Sequence, residues 1–363
     1  MRAVAAKTPT DLLTRVRRDA ERNLRRLGNG LKHFAGVGHP ALSQTPKETV
    51  WSAEKVQLWH YPSDRRRFRT PLLFVHSLVS RSYVFDLVPG NSVVETMLTN
   101  GFDVYLADWG SPDALESGNT LETYSDGYVP TIVQEVQHQS NAPDVNLFGY
   151  CFGGVLSLLA LGGNADRMPV RSLAVMATPT DFRFMGPMTS IMQEGRVEPE
   201  HILDETGNVP ADTMLNSFRM LQPLSDLTSS VTLWQNLWND DFVAAHQVMT
   251  QWSTDHIPFP GAAFLQMGEL FARQNLLATG KVPLGGRIVD LADITVPFLS
   301  ILGEKDHIVP PEAVGRLAEL VGSTHVEELR FPSGHVGVII GRSAQRHNLP
   351  AMVDWLARHS ELE

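Results

Sequence analysis

Cysteine is the residue that this 363-residue chain has least of, because Cys151 is the only one. A single cysteine has no partner for an internal disulfide and cannot build a cluster of thiolate metal ligands. The histidines and carboxylates also show no metal-ligand spacing, so we expect neither a metal nor another cofactor. A chain of this composition suits a reducing compartment, and the sequence predicts a cytoplasmic location.

Long apolar runs are also missing. The N-terminal segment carries charges throughout and has none of the apolar core that a secretion signal needs. No later stretch approaches the ~20 uncharged apolar residues that cross a bilayer. With 43% hydrophobic and 19% charged residues, the sequence predicts a globular protein that is neither secreted nor membrane-spanning.

The first part of the chain differs in charge from the rest. The whole sequence has a formal net charge of -10, yet residues 1–36 hold nine basic and three acidic residues. Apolar residues recur there at helical spacing, namely Leu13, Val16, Ala20, Leu24, Leu27, Leu31 and Phe34. The pattern predicts a basic amphipathic helix within an N-terminal arm, residues 1–50. Two interpretations are open for its apolar stripe: packing on the protein's own body, or docking on a partner or an apolar, anionic surface. Nucleic acid is not expected as a partner, because no aromatic residues lie among the arginines.

Beyond residue 50, short apolar runs alternate with stretches of helical length. The runs lie at 71–78, 103–110, 145–151, 172–179, 296–303 and 325–331. This alternation predicts an α/β fold, with a mostly parallel sheet of buried strands and helices on both faces. No clear strand occurs between residues 180 and 293. We therefore predict a cap at 181–292, inserted between the two parts of a catalytic core at 51–180 and 293–363.

The segment GYCFGG, residues 149–154, follows one of these strands and runs into a helical pattern. A strand that ends in Gly-x-nucleophile-x-Gly is the nucleophile elbow of the α/β-hydrolase fold. Cys151 occupies the nucleophile position. The turn directs the backbone N–H of Phe152 toward a developing oxyanion, and the N-terminus of the following helix favours a thiolate.

An acid and a base follow in the chain order that this fold requires. Asp306 comes directly after the run at 296–303, and His335 lies in a loop after the run at 325–331. We predict that both loops open above Cys151, with His335 reaching the thiol and Asp306 orienting the imidazole. The second oxyanion amide is expected from the turn HSLVS, at Leu78 or Val79. Of the other histidines, His256 and His307 are interpreted as structural residues.

Cysteine at the elbow, where serine is usual, indicates the type of substrate. A thiolate exchanges with another thioester at little cost in free energy, so a thioester donor is implied. The acyl-cysteine that forms stays reactive toward an alcohol, provided that water is excluded. The sequence therefore predicts transfer of an acyl group to a hydroxyl.

Six segments together resemble the catalytic subunit of polyhydroxyalkanoate synthases, most closely the short two-subunit kind. They are GYCFGG, FVHSLVSRSY, GFDVYLADWGSPD, LGGRIVDLADITVP, KDHIVPP and FPSGHVG. The resemblance covers most of residues 55–358. It implies polymerisation of 3-hydroxyacyl-CoA into polyester with release of CoA, with Cys151 as acyl carrier, His335 as base and Asp306 as its assisting acid. The CoA thioester is then a substrate and not a cofactor.

The same resemblance implies particular partners. They are a second synthase subunit or a second copy of the chain, and the surface of a polymer granule rather than a bilayer. Two other functions stay open at this point. One is a cysteine hydrolase or thioesterase of the same fold, in which water takes the acyl group. The other is a non-catalytic protein that coats a lipid or polyester inclusion.

Overall fold

The computed structural model of the chain describes residues 9–34, 41–195, 198–221 and 225–363. The chain divides into two compact units. The smaller, here called the helical unit, combines Met1–Leu42 with Pro223–Thr254. The larger, the sheet unit, combines Ser43–Gln222 with Asp255–Glu363. The predicted division into arm, core and cap stays a prediction.

Strands of the described residues all belong to the sheet unit. They are β1 (Glu48–Ala53), β2 (Val56–Tyr61), β3 (Leu72–Val75), β4 (Asp86–Val88), β5 (Asn91–Ser92), β6 (Val104–Asp108), β7 (Val145–Tyr150), β8 (Val170–Met176), β9 (Lys281–Leu284), β10 (Arg287–Asp290), β11 (Phe298–Gly303) and β12 (Val326–Phe331). Eight of them form one sheet in the order β1-β2-β6-β3-β7-β8-β11-β12. The pairs β4–β5 and β9–β10 form two small antiparallel sheets.

The six apolar runs of the sequence form β3, β6, β7, β8, β11 and β12. These strands pair in parallel, which confirms the predicted parallel sheet. Every residue of the central strand β7 is buried. The expectation of burial is wrong for β12, which is half exposed because it lies at the edge of the sheet.

Three pairs of strands were not predicted, namely β1–β2, β4–β5 and β9–β10. β1 and β2 form an antiparallel pair at the opposite edge, and they mix exposed and less exposed residues instead of forming one apolar run. β9 and β10 lie inside the stretch where no strand was expected, so that expectation is wrong. Gly285 and Gly286 join them, with φ angles of 58° and 75°. Two consecutive residues of positive φ form the two-residue turn that suits a hairpin.

The helices complete both units. They are α1 (Pro9–Phe34), α2 (Val93–Thr99), α3 (Val129–Ser140), α4 (Phe152–Asn164), α5 (Pro187–Gln193), α6 (Ala211–Leu221), α7 (Ser225–Asn236), α8 (Asp240–Thr254), α9 (Gly261–Met267), α10 (Pro311–Val314), α11 (Leu317–Leu320) and α12 (Leu349–Arg358). Helices α3 and α4 pack against the sheet, and α4 is almost wholly buried. None of the described helices is long and apolar enough to cross a membrane.

The two units have hydrophobic cores of very different size. The core of the sheet unit includes residues from β2, β3, β6, β7, β8 and β11, together with the inner faces of α3 and α4. In the helical unit, Leu233, Leu237 and Val243 form a small cluster against which Phe242 packs. The predicted basic helix is present as α1, which spans 26 residues.

Candidate active site

Cys151 is a one-residue turn between β7 and α4. Its backbone has φ 55° and ψ -125°, a conformation that a residue with a side chain rarely adopts. The N–H of Cys151 donates a 2.8 Å hydrogen bond to the carbonyl of Met176 at the end of β8. The strained turn is thus held by the neighbouring strand, and the thiol stays partly accessible beyond the end of the sheet.

Two glycines make this turn possible. A Cβ atom on Gly149 would overlap the Cα of Gly154, one turn into the helix. A Cβ atom on Gly153 would overlap the carbonyl oxygens of Val75 and His76. The start of α4 therefore lies directly against β7 and against the chain that leaves β3, which no larger residue would allow.

Asp306 and His335 are hydrogen-bonded to each other. The imidazole Nδ1 lies 2.7 Å from Oδ2 of Asp306, and both residues are buried. The other carboxylate oxygen, Oδ1, accepts the backbone N–H groups of Ile308 and Val309, each at 2.8 Å. Since a carboxylate can only accept here, Nδ1 carries the proton and Nε2 is the nitrogen left for chemistry.

The two loops that carry these residues are joined to each other and to the elbow. Lys305 donates its N–H to the carbonyl of Ser333 at 3.0 Å. The hydroxyl of Tyr150, the residue before the cysteine, donates to the carbonyl of His335 at 3.1 Å. Tyr150 was not singled out from the sequence, although it lies within GYCFGG. Its hydrogen bond ties the position of the imidazole to the position of the thiol.

Cys151 lies close enough to His335 to influence the charge of its imidazole. Burial by itself lowers the pKa of His335, but the negative charge of Asp306, the interaction with Cys151 and the hydrogen bond to Asp306 outweigh it. The pKa of the imidazole is therefore raised above its ordinary range. The structure thus brings together all three side chains that the sequence proposed, and the environment stabilises the imidazolium that forms when His335 takes a proton.

The three candidate oxyanion donors lie around the same turn. Phe152 begins α4, so its N–H has no acceptor within the helix. Leu78 and Val79 follow β3, in the chain that approaches Gly153. The choice between Leu78 and Val79 stays a prediction.

His76 fixes the turn that contains Leu78 and Val79, and it was missed as a candidate. Its Nε2 lies 2.7 Å from the carbonyl of Ser80, and its own carbonyl accepts Nε1–H of Trp109 at 2.8 Å. Burial lowers the pKa of His76 to about 4, so the ring is neutral and donates from Nε2. The first residue of HSLVS thus holds the ends of the turn together.

A second segment closes over the same turn. Ile257 donates its N–H to the carbonyl of Val79 at 3.4 Å, and His256 pairs with Ser80 as an antiparallel bridge. Burial lowers the pKa of His256, which packs against the ring of Phe218. The contacts of His256 are thus with the turn after β3 and with Phe218.

A cavity of about 410 Å³ opens beside the Asp306 loop. Phe184, Met220 and Leu221 form apolar parts of its lining, while the polar parts come from Glu304, Lys305, Asp306, His307 and Glu312. The cavity can accept a chain that is both apolar and hydrogen-bonding. Among the described residues, no group of three or more His, Cys, Asp or Glu side chains is placed to hold a metal ion.

The fold agrees with comparisons with known proteins. Residues 70–341 match the family of the alpha/beta hydrolase fold. A putative lipase from Sulfolobus solfataricus superposes with a TM-score of 0.56 at 15% identity, over 86% of this chain and 93% of that one. At that identity the likeness shows the fold alone. The chain is an α/β-hydrolase-fold protein.

More similar sequences identify the branch of this fold. The poly(3-hydroxyalkanoate) polymerase subunits PhaC of Thiocystis violacea and Allochromatium vinosum are 33% and 34% identical, over 92% of this chain and 94% of each relative. The subunit PhaC of Haloferax mediterranei is 35% identical over 90% of this chain, which spans 66% of that protein. The chain belongs to the poly(3-hydroxyalkanoate) polymerase PhaC family.

Proposed function

We propose that this chain polymerises 3-hydroxyacyl-CoA into polyester and carries the growing acyl group on Cys151. The observation that supports this most is the arrangement of Cys151, His335 and Asp306 at the strained turn after β7, in a member of the polymerase family. Each of the three groups has a chemical role that its contacts suit.

Acylation begins with proton transfer from the Cys151 thiol to Nε2 of His335. The sulfur attacks the thioester carbonyl of the substrate and forms a tetrahedral oxyanion, which the N–H of Phe152 and the turn at Leu78 and Val79 stabilise. The carbon–sulfur bond to CoA then breaks. CoA leaves as the thiol after taking the proton from the imidazolium.

Elongation uses the same histidine as a base. The 3-hydroxyl of the next monomer gives its proton to His335, and its oxygen attacks the carbonyl of the acyl-cysteine. An ester bond forms, the bond to Cys151 breaks, and the sulfur recovers the proton, so the lengthened chain is now a CoA thioester. Cys151 then attacks this thioester as in acylation, takes up the chain again and releases CoA. Because a hydroxyl is far harder to deprotonate than a thiol, this step needs the charge of Asp306 more than acylation does.

The cavity beside Asp306 is a suitable place for part of the substrate. Its apolar lining fits an acyl or pantetheine chain. We further propose that the protein acts in the cytoplasm on a granule surface and associates with a second subunit. The basic helix α1 is the part of the chain that suits such an association.

The proposed role of the nucleophile is tested by replacing Cys151 with alanine. We expect Cys151→Ala to release no CoA from 3-hydroxybutyryl-CoA and to form no polymer, since no other thiol is present in the chain. Intact-protein mass spectrometry during turnover should find one acyl group on the wild type and none on the variant. CoA release by Cys151→Ala above the uncatalysed rate would contradict the assignment. Free 3-hydroxyacid without polymer from the wild type would identify a thioesterase.

A further inference from the structure

Helix α1 contacts the rest of the helical unit through its polar face. The side-chain amide of Asn29 donates to the carbonyl of Leu237 and to Oδ1 of Asp240, both at 2.7 Å. The guanidinium of Arg22 lies over the ring of Trp238 at 4.5 Å. Arg22 and Asn29 are seven residues apart, so they occupy one side of the helix.

The apolar side of α1 points the other way. Leu24, Leu27 and Leu31 are 70%, 64% and 64% exposed. Their spacing of three and four residues places them on one stripe, nearly opposite Arg22 and Asn29. Single exposed leucines are ordinary on protein surfaces, but three in one stripe on one helix are not. We call these three side chains the leucine face.

The surroundings of the leucine face distinguish among possible occupants. Asn23 and Gly28 flank it along the helix, and the ion pair of Arg17 with Glu21, at 3.1 Å, lies on the Gly28 side toward the N-terminus. A helix that lies in an anionic lipid surface normally carries unpaired Lys or Arg beside its apolar stripe, where the long side chains reach the head groups. Here Arg17 is paired with Glu21 of the same helix, and Arg22 lies on the opposite side, over Trp238. The small flank at Gly28 instead allows the backbone of another helix to approach closely.

Charge decides what kind of helix fits. The sequence of α1 contains seven basic and three acidic residues. Pairing with the same helix of a second copy would bring two cationic helices together, which is unfavourable at close range. A helix of opposite charge avoids this repulsion. The net positive charge of α1 attracts such a helix at longer range.

We propose that the leucine face of α1 is the docking surface for an acidic amphipathic helix of a second polypeptide. The proposal rests on the proposed function only in expecting a partner subunit. The chemistry at Cys151 does not enter it.

The test uses the full-length protein and a defined probe. The probe is a fluorescent synthetic helix with leucine at the apolar heptad positions and glutamate at the flanking ones; a second helix has lysine in place of each glutamate. We expect the wild type to bind the acidic helix at least tenfold more tightly than Leu24→Asp or Leu27→Asp does, by fluorescence anisotropy at fixed salt. The basic helix should bind at least tenfold more weakly than the acidic one.

A matched control distinguishes binding at the leucine face from non-specific binding to any exposed apolar side chain. Trp234, on α7 of the same unit, is 69% exposed, so Trp234→Asp removes a similar apolar surface elsewhere. We expect Trp234→Asp to bind the acidic helix as the wild type does. Far-ultraviolet circular dichroism should find the same helix content in all variants, which excludes loss of α1 as the cause.

Four results would overturn the proposal. The first is equal affinity of wild type and Leu24→Asp for the acidic helix, and the second is equal binding of both synthetic helices by the wild type. The third is that the acidic helix does not bind, while the wild type binds phosphatidylglycerol vesicles and both leucine variants do not. The fourth is self-association of the wild type in sedimentation that both leucine variants lose. CoA release is measured on the same samples. Loss of helix binding in Leu24→Asp together with normal CoA release supports the proposal, and absence of CoA release in every sample counts against the proposed function alone.

Discussion

The sheet unit and the helical unit differ in whether polar or apolar side chains are exposed near the features described above. In the sheet unit, the buried carboxylate of Asp306 has three hydrogen-bond donors, and apolar side chains fill the interior. In the helical unit, α1 turns Asn29 inward and leaves Leu24 and Leu27 exposed. A polar group is costly to bury without a partner, whereas an exposed leucine forgoes the stabilisation that burial would supply. The exposed leucines of α1 are therefore the surface to which we assigned a partner helix.

This comparison assigns different consequences to substitutions in the two units. Changes near Cys151 should alter chemistry or folding of the sheet unit even without a partner. Changes on the exposed surface of the helical unit should leave the rate of CoA release from 3-hydroxyacyl-CoA unchanged when no partner is present. The following expectations test that difference, beginning with the largest.

Replacement of the histidine should have the largest effect. His335→Gln removes the base that accepts the Cys151 proton, and we expect CoA release to fall by about 10³-fold, within the range that general-base catalysis contributes. Val231→Ala, at a 48% exposed position of α7, should change the same rate by less than about twofold. Stopped assays of CoA release at saturating monomer measure both. If His335→Gln keeps more than about a tenth of the rate, another base serves Cys151.

Removal of the negative charge of Asp306 should slow elongation more than acylation. In Asp306→Asn we expect acylation of Cys151, measured by single-turnover labelling, to slow about tenfold and elongation about 100-fold, because a hydroxyl needs the stronger base. Elongation at the wild-type rate would show that another group assists His335.

Asp306→Asn should also change how stability depends on pH. The raised pKa of His335 means that the folded protein holds this proton more tightly than the unfolded chain does. That stabilisation is fully present below the ordinary histidine pKa of about 6.5 and is lost as the pH rises through the raised value. Urea unfolding from about pH 6 to about pH 9 should therefore lose stability more steeply in the wild type than in Asp306→Asn. Equal slopes would mean that Asp306 does not raise the pKa of His335.

Most of the sheet unit could be predicted because its physical causes are local in the sequence. Buried parallel strands require continuous apolar runs, and the elbow requires small residues at Gly149 and Gly153, so both leave clear patterns. The edge pair β1–β2 and the hairpin at Gly285 leave weaker sequence patterns. Their strands are short and have no continuous apolar run, so each resembles an irregular segment. The order of nucleophile, acid and base along the chain was enough to propose Asp306 and His335.

Other parts of the site could not be predicted because they depend on packing between distant segments. The bond from Tyr150 to the carbonyl of His335 joins residues 185 positions apart. The contact of Ile257 with the turn at Val79 likewise depends on how the chain returns after α8. The direction of α1 is the clearest case, since its periodicity predicts an apolar stripe but not which side meets α8. That side is decided by contacts of Asn29 that no local pattern encodes.

The smallest expected effects come from replacing one glycine in each unit. A Cβ atom on Gly153 would overlap the carbonyl oxygens of Val75 and His76, whereas one on Gly28 of α1 meets no atom within 4 Å. We expect Gly153→Ala to destabilise the protein by about 1–3 kcal/mol, because backbone must shift to make room. Gly28→Ala should instead stabilise the helix by about 0.5–1 kcal/mol, since alanine loses less backbone freedom there. Urea unfolding followed by near-ultraviolet circular dichroism reports the first change, and helix content at 222 nm reports the second. Destabilisation by Gly28→Ala would mean that α1 already packs closely at this position, and the surface assigned to a partner helix would be covered by the chain itself.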